Sequence, residues 1–182
     1  QTFYAELTDY DKSQIDEWLQ NNVIENLLMS EPKEGEQEYF SASRHSDNPV
    51  GNDLYKSYSV QLRCDKKVLE VELGKWLFQF GQVEIWSDCL SYDWVLFNQI
   101  FGHAFNIPKN VYYIPFDICT LFYAKGIDAD ISREKFVSNT FSESGEPLFF
   151  DAEGNMIEKQ KHNALWDAKI IRQCFVKLQG VS

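Results

Sequence analysis

The stretch VEIWSDCLSYDWVLFNQIFG, at residues 83–102, decides the fold. Its first five residues (83–87) alternate in polarity and are rich in residues that favour β-strands. Residues 91–102 then carry apolar side chains at helical spacing and end at Gly102, a typical helix terminus. A strand, a tight turn and a helix in succession form the repeating unit of α/β domains. The stretch therefore predicts an α/β fold.

The same patterns predict further elements on both sides of this stretch. Before it, TFYAELT (2–8) predicts a strand, and residues 11–28 predict a helix capped by Asp11 or Ser13. The other predicted elements are a helix at 66–81 ending at Gly81, a short strand at 111–114, a helix at 117–126, a hairpin around 151–155 and a final helix at 163–178.

Length and composition indicate one domain spanning residues 1–182. With 44% apolar residues the chain can bury one ordinary core. Loop-like composition predicts mobile insertions near 30–55 and 128–160. No run approaches the roughly 20 apolar residues of a membrane span, and the four cysteines form no C-x-x-C pair. We therefore expect a cytoplasmic protein that does not contact a membrane.

The net charge of −11 bears on binding partners. An acidic surface of this size repels nucleic acid at long range. A polyanionic partner must therefore be held locally, by a basic strip, by aromatic stacking or by metal ions clamped between acids and phosphate.

The final predicted helix carries an acid in an unexpected position. On a helical wheel, Asp167 falls on the apolar stripe formed by Ala164, Ala168, Ile171, Phe175 and Leu178. A carboxylate facing a core needs an ion pair, a hydrogen bond, a metal ion or a proton. His162 lies five residues earlier, about 140° away on a continuous helix, so it can reach the same site only from the preceding loop. By spacing alone, a capping or core-lining histidine is the better interpretation.

Asp93 repeats this feature on the predicted helix at 91–102. It falls within about 60° of Leu96, Phe97 and Ile100 on the wheel, and it follows a strand at the edge where α/β sheets place their sites. Helix capping by Ser91 or by Asp93 itself is an equally good local explanation. Two inward acids and a loop histidine together suggest a divalent-metal site with a general base, and oxygen ligands favour Mg²⁺ or Mn²⁺.

These motifs resemble a known family. SYDWVLF (91–97) resembles the second conserved segment, and HNALWDA (162–168) the third, of the histidine-type DEDD 3′–5′ exonucleases of the RNase H-like superfamily. The resemblance extends over residues 1–102 and 111–178 and is strongest to the small bacterial 3′–5′ exoribonuclease branch. It implies an RNase H-like mixed sheet flanked by helices and two-metal hydrolysis at the single-stranded 3′ end of RNA or DNA. Asp93 and Asp167 would then be metal ligands, with His162 the general base.

The family's first motif, an Asp-x-Glu on the opening strand, has no match in this sequence. YAELTDYD (4–11) offers Glu6 and Asp9, but it aligns better with a later strand. We therefore expect the first strand and its ligands before Gln1. A catalytically silent binding or interaction module, a nucleotide phosphohydrolase and a homodimeric assembly all stay open.

Other conspicuous residues are expected to have ordinary roles. Asp88, Asp117 and the charge run at 128–135 are predicted to be solvated or to cap helices. The aromatic residues Trp86, Tyr92 and Trp94 are predicted to pack in the core rather than to stack on bases.

Overall fold

A computed structural model of the chain describes residues 1–29, 40–45, 57–151 and 153–180; for residues 40–45, 57 and 58 it describes the backbone alone. The strands are β1 (Thr2–Leu7), β2 (Phe40–His45), β3 (Ser57–Cys64), β4 (Trp86–Ser87), β5 (Phe116–Asp117), β6 (Thr140–Phe141), β7 (Pro147–Phe150) and β8 (Met156–Ile157). The α-helices are α1 (Glu17–Asn22), α2 (Lys66–Phe78), α3 (Leu90–Ile100), α4 (Ile118–Ala124), α5 (Arg133–Val137) and α6 (Ala164–Gln179). The predicted α/β class is confirmed.

The largest described sheet has the strand order β1-β3-β2. β1 runs parallel to β3, with Phe3 opposite Val60 and Ala5 opposite Leu62, and β2 runs antiparallel to β3. Val60, Leu62 and Leu69 of α2 bury their side chains together. Burial of each such side chain is worth about 1.5–3 kcal/mol, so α2 is fixed on one face of this sheet.

Two smaller sheets lie along the second half of the chain. β4 and β5 pair in parallel, and β6-β7-β8 form an antiparallel sheet. The predicted hairpin is confirmed, because β7 and β8 flank a tight turn that contains Gly154 with a φ of 87°. Residues 111–114, predicted as a strand, make one isolated bridge, between Val83 and Val111. A strand forms two residues after them, as β5.

Helix α6 is the centre of the main core. Its buried residues are Trp166, Ile170, Cys174 and Leu178, which pack against Ile118 and Phe122 of α4 and Val137 of α5. The predicted stripe was wrong at its start, since Ala164 and Ala168 are exposed. The indole of Trp166 offers more apolar surface than two alanine methyl groups, and its burial turns the helix.

Helix boundaries follow the local capping chemistry. Asp117 caps α4, and Gly102 and Gly126 follow α3 and α4 in the left-handed conformation, all as predicted. Asn163, expected as the first residue of the final helix, caps α6. The predicted helix at 11–28 is instead a 3₁₀ turn at Lys12–Gln14, then α1, then a 3₁₀ turn at Ile24–Asn26. It breaks because Asp11 and Asp16 each cap a separate turn. Helix α2 ends at Phe78, before the predicted stop at Gly81.

Residues 128–160, predicted as a mobile insertion, contain α5 and β6 to β8, and the mobility stays a prediction. Much of the other predicted insertion, at 30–55, lies outside the described residues. In the part of the chain that the structure describes, no helix is both long enough and apolar enough to cross a membrane.

Candidate active site

An open pocket of about 420 Å³ lies at the amino-terminal end of α6. It is bounded by the segment after β4, by α5 with the residues before it, and by the loop that leads into α6. Most of its lining is charged or titratable: Asp88, Asp130, Arg133, Glu134, Lys161, His162 and Asp167, beside Ile131, Ser132, Ile170 and Ile171. His162 and Asp167, which the sequence singled out together, therefore share one pocket.

Asp167 lies in the first turn of α6 and is half-buried. Burial, together with the nearby carboxylates of Asp88 and Glu134, raises the pKa of its carboxyl group to about 6, against the opposing effects of the His162 ring and a hydrogen bond from the His162 backbone N–H. An acid surrounded by other acids holds its proton more tightly, because a second negative charge is costly in a partly desolvated pocket. The described residues thus leave the negative charge of the Asp167 carboxylate poorly compensated.

His162 lies in the loop directly before Asn163, the residue that caps α6, as predicted. Its φ is 68°, and no other non-glycine residue of the described chain has a positive φ. Its ring meets that of Trp18 edge-on, with the centroids 5.3 Å apart. The left-handed backbone conformation is costly for histidine, so the surrounding contacts must impose it.

Asp93 does not lie where the helical wheel placed it. It is exposed on α3, does not line the pocket, and accepts a hydrogen bond from the hydroxyl of Ser87. The predicted inward orientation is wrong because the rings of Trp94 and Phe101 pack beside Leu77. The alternative of helix capping also fails, since Cys89 is the residue at the helix start and makes no side-chain capping bond.

Asp88 and Arg133, which the sequence did not indicate as site residues, lie in the pocket wall. Asp88, predicted to be solvated or capping, pairs with Arg133 at 3.7 Å between Oδ2 and Nε. Arg133 also donates to Sγ of Cys119 at 2.9 Å and lies over the Phe122 ring, 5.0 Å from its centroid. The position of Asp88 directly after β4 was the available signal, since sites gather at the carboxyl ends of strands.

Glu134 and the aromatic residues near β4 differ in how far they follow the sequence predictions. Glu134, within the charge run predicted to be solvated or capping, instead accepts a hydrogen bond from the indole N–H of Trp166 at 3.0 Å. Trp86 and Trp94 pack against core clusters as predicted, whereas Tyr92 is 69% exposed and does not.

The described residues do not by themselves assemble a complete metal site. Among residues 1–29, 40–45, 57–151 and 153–180, no group of three or more His, Cys, Asp or Glu side chains is arranged to hold a metal ion. Asp167, Asp88 and Glu134 nevertheless bring carboxylate oxygens towards one pocket. Oxygen donors of this kind suit a hard cation such as Mg²⁺ or Mn²⁺ rather than zinc.

Comparison with protein-family models, with curated proteins and with solved structures gives no match for this chain. The proposed function therefore rests on the geometry of the pocket at the start of α6 and on the sequence motifs.

Proposed function

We propose that this chain is a metal-dependent 3′–5′ exonuclease of RNase H-like architecture and histidine-type DEDD kind, acting in the cytoplasm on single-stranded 3′ ends of RNA or DNA. One observation carries the proposal: a loop-borne histidine, His162, opens into the same pocket as the poorly compensated acid Asp167. A titratable base beside an acid with a raised pKa is typical of a hydrolytic site.

In this proposal His162 is the general base. Its neutral ring accepts the proton of the attacking water, and the Asp167 carboxylate beside it stabilises the imidazolium that forms. The pocket is open and has the size of sites that hold small ligands, which suits one terminal nucleotide entering from solution. Arg133 and Lys161 place positive charge in its wall, where a phosphate would lie.

Asp167 would hold Mg²⁺ or Mn²⁺ together with Asp88 and Glu134, the carboxylates that line the same pocket. A bound ion would supply positive charge to the phosphate and lower the pKa of the attacking water. It would also compensate the carboxylates that raise the pKa of Asp167. Asp93, the other ligand expected from the sequence, lies outside the pocket lining, and its carboxylate accepts a hydrogen bond from the Ser87 hydroxyl.

The test is an assay on a 5′-labelled oligonucleotide with the full-length protein in Mg²⁺ or Mn²⁺. The proposal expects metal-dependent degradation that His162→Ala and Asp167→Asn each reduce by at least about a hundredfold. Lys159→Ala, which removes an exposed ion pair with Glu146, is the matched control. Wild-type rates in both active-site variants would remove the assignment.

A catalytically silent binding or interaction module is the second candidate. It is favoured by the lack of an assembled metal group among the described side chains. Retention of the oligonucleotide without any product in Mg²⁺ or Mn²⁺ would identify this module. A nucleotide phosphohydrolase would instead hydrolyse free nucleotides faster than an oligonucleotide of the same base composition.

A further inference from the structure

A buried polar network connects β1 to the start of α6, next to His162. Its anchor is Glu6, whose side chain is only 1% exposed. The Glu6 carboxylate accepts hydrogen bonds from the Tyr4 hydroxyl at 2.7 Å and from the backbone N–H groups of Leu28 and Met29 at 2.8 and 3.0 Å. Arg63 adds a contact at 3.5 Å. A buried carboxylate with this many donors is held firmly in one orientation.

The network has a fixed direction. A tyrosine hydroxyl has one proton, and Tyr4 donates it to Glu6. Towards Asn163 the hydroxyl oxygen must therefore accept, and it receives the Asn163 Nδ2–H at 3.1 Å. The chain of donors runs from Asn163 through Tyr4 to Glu6. Tyr4 and Glu6 can both take part because alternate residues of a strand face the same side.

Asn163 uses its whole amide group. Its Oδ1 accepts from the backbone N–H groups of Leu165 and Trp166 at 3.1 and 3.3 Å, and its Nδ2 also donates to the carbonyl of Asn26 at 2.8 Å. The residue is 1% exposed. These partners assign the amide orientation, since a flipped amide would place donors against donors.

The backbone on both sides of His162 is therefore held. Asn163 follows it, and Asn26 donates from Nδ2 to the carbonyl of Lys161 at 3.2 Å on the other side. Between these two fixed points His162 takes its left-handed conformation with a φ of 68°. A strained residue persists where its surroundings over-determine it, and the network provides that constraint.

We infer that Tyr4, Glu6 and Asn163 are positioning residues, whose buried hydrogen bonds fix the His162 loop so that the imidazole is presented to the pocket. This inference rests on the proposed function for its catalytic consequence alone, since the placement of the His162 ring can be measured separately. None of the three side chains lines the pocket.

The experiment combines kinetics with NMR on the full chain. Tyr4→Phe removes the hydroxyl and leaves the ring, and Asn163→Ser keeps a capping oxygen while removing both Nδ2 bonds. We expect kcat to fall by about tenfold to a hundredfold with KM within about twofold. The ring protons of His162, shifted by the edge-on indole of Trp18, should move towards the positions of an unstructured histidine. His162→Gln identifies those signals by their loss.

Val60→Ala is the matched control, because Val60 is buried in the same sheet but is not part of the network. It should lower stability while leaving kcat and the His162 signals unchanged. Wild-type kcat and unmoved His162 signals in both Tyr4→Phe and Asn163→Ser would overturn the inference. If the wild type degrades no 3′ end, the proposed function fails, and the His162 signals alone decide: movement supports the positioning role and no movement overturns it.

Discussion

Asp167 should destabilise the folded protein at neutral pH in the absence of metal. Its folded pKa of about 6 exceeds the ordinary value of 3.8. Below about pH 3 the carboxyl is largely protonated in both the folded and the unfolded states, so it has little effect on stability. As pH rises towards 6 the unfolded chain ionises first, and stability is lost until the folded carboxyl also ionises. Asp167→Asn should therefore stabilise the protein above pH 6 and not below pH 3.

The magnitude follows from the two pKa values. At about 1.4 kcal/mol for each pH unit, the upper bound is about 3 kcal/mol. The carboxyl is only half-buried, and solvent screening reduces this to about 1–2 kcal/mol. A chain of this size should then gain about 3–6 °C in Tm at pH 8. The amide of asparagine can still accept the His162 backbone N–H, so that bond is retained.

The assay is urea unfolding of both proteins in EDTA at pH 3 and pH 8. Asp151→Asn is the control, because Asp151 is exposed and hydrogen bonds from Asn155 lower its pKa, which predicts a small loss at pH 8 instead of a gain. An Asp167→Asn protein less stable than the wild type at pH 8 would refute the reasoning. Added Mg²⁺ or Mn²⁺ should reverse the order by stabilising the wild type alone, by about 2.7 kcal/mol at a hundred times the Kd.

Three pairs of substitutions test separate features by denaturant unfolding. Arg133→Met removes the ion pair of the pocket wall and should lower the free energy of unfolding by about 1–3 kcal/mol. Lys159→Met removes an exposed pair and should lower it by less than about 1 kcal/mol. Equal losses in the two variants would contradict this. Gly126→Ala places a side chain at a φ of 71° and should lower the free energy of unfolding by about 1 kcal/mol. Gly74→Ala, inside α2 with open space around it, should raise that free energy by about 0.5–1 kcal/mol. A more stable Gly126→Ala protein would show that the positive φ causes no strain. His162→Val should be less stable than His162→Asn by about 1–2 kcal/mol, because asparagine tolerates the left-handed conformation; equal stability would show that the backbone relaxes.

Local patterns predicted the elements whose causes are local. The caps at Asn163 and Asp117 and the hairpin of β7 and β8 depend on neighbouring residues, and all could be predicted from the sequence. The loop position of His162 followed from angular spacing alone. The orientation of Asp93 did not, because a helical wheel cannot say which of several apolar side chains takes the space in a core.

The remaining features depend on contacts between distant parts of the chain. The Asp88–Arg133 pair joins the residue after β4 to the first residue of α5, and the Tyr4–Asn163 bond joins residues 159 positions apart. No periodicity connects such residues, so they emerge only when the chain is folded. The sequence thus predicted the central pair of the pocket, His162 and Asp167, but neither its wall nor the network that holds its loop.

The direction of degradation is the most direct test of the proposed 3′–5′ exonuclease activity. A single-stranded oligonucleotide labelled at either end is incubated with the full chain and Mg²⁺ or Mn²⁺, and products are resolved at single-nucleotide resolution. The account predicts that the 5′-labelled strand shortens one nucleotide at a time while the 3′-labelled strand releases labelled mononucleotide from the start, and that His162→Ala abolishes both. Release of the 5′ label first, internal cleavage or no product at all would contradict it.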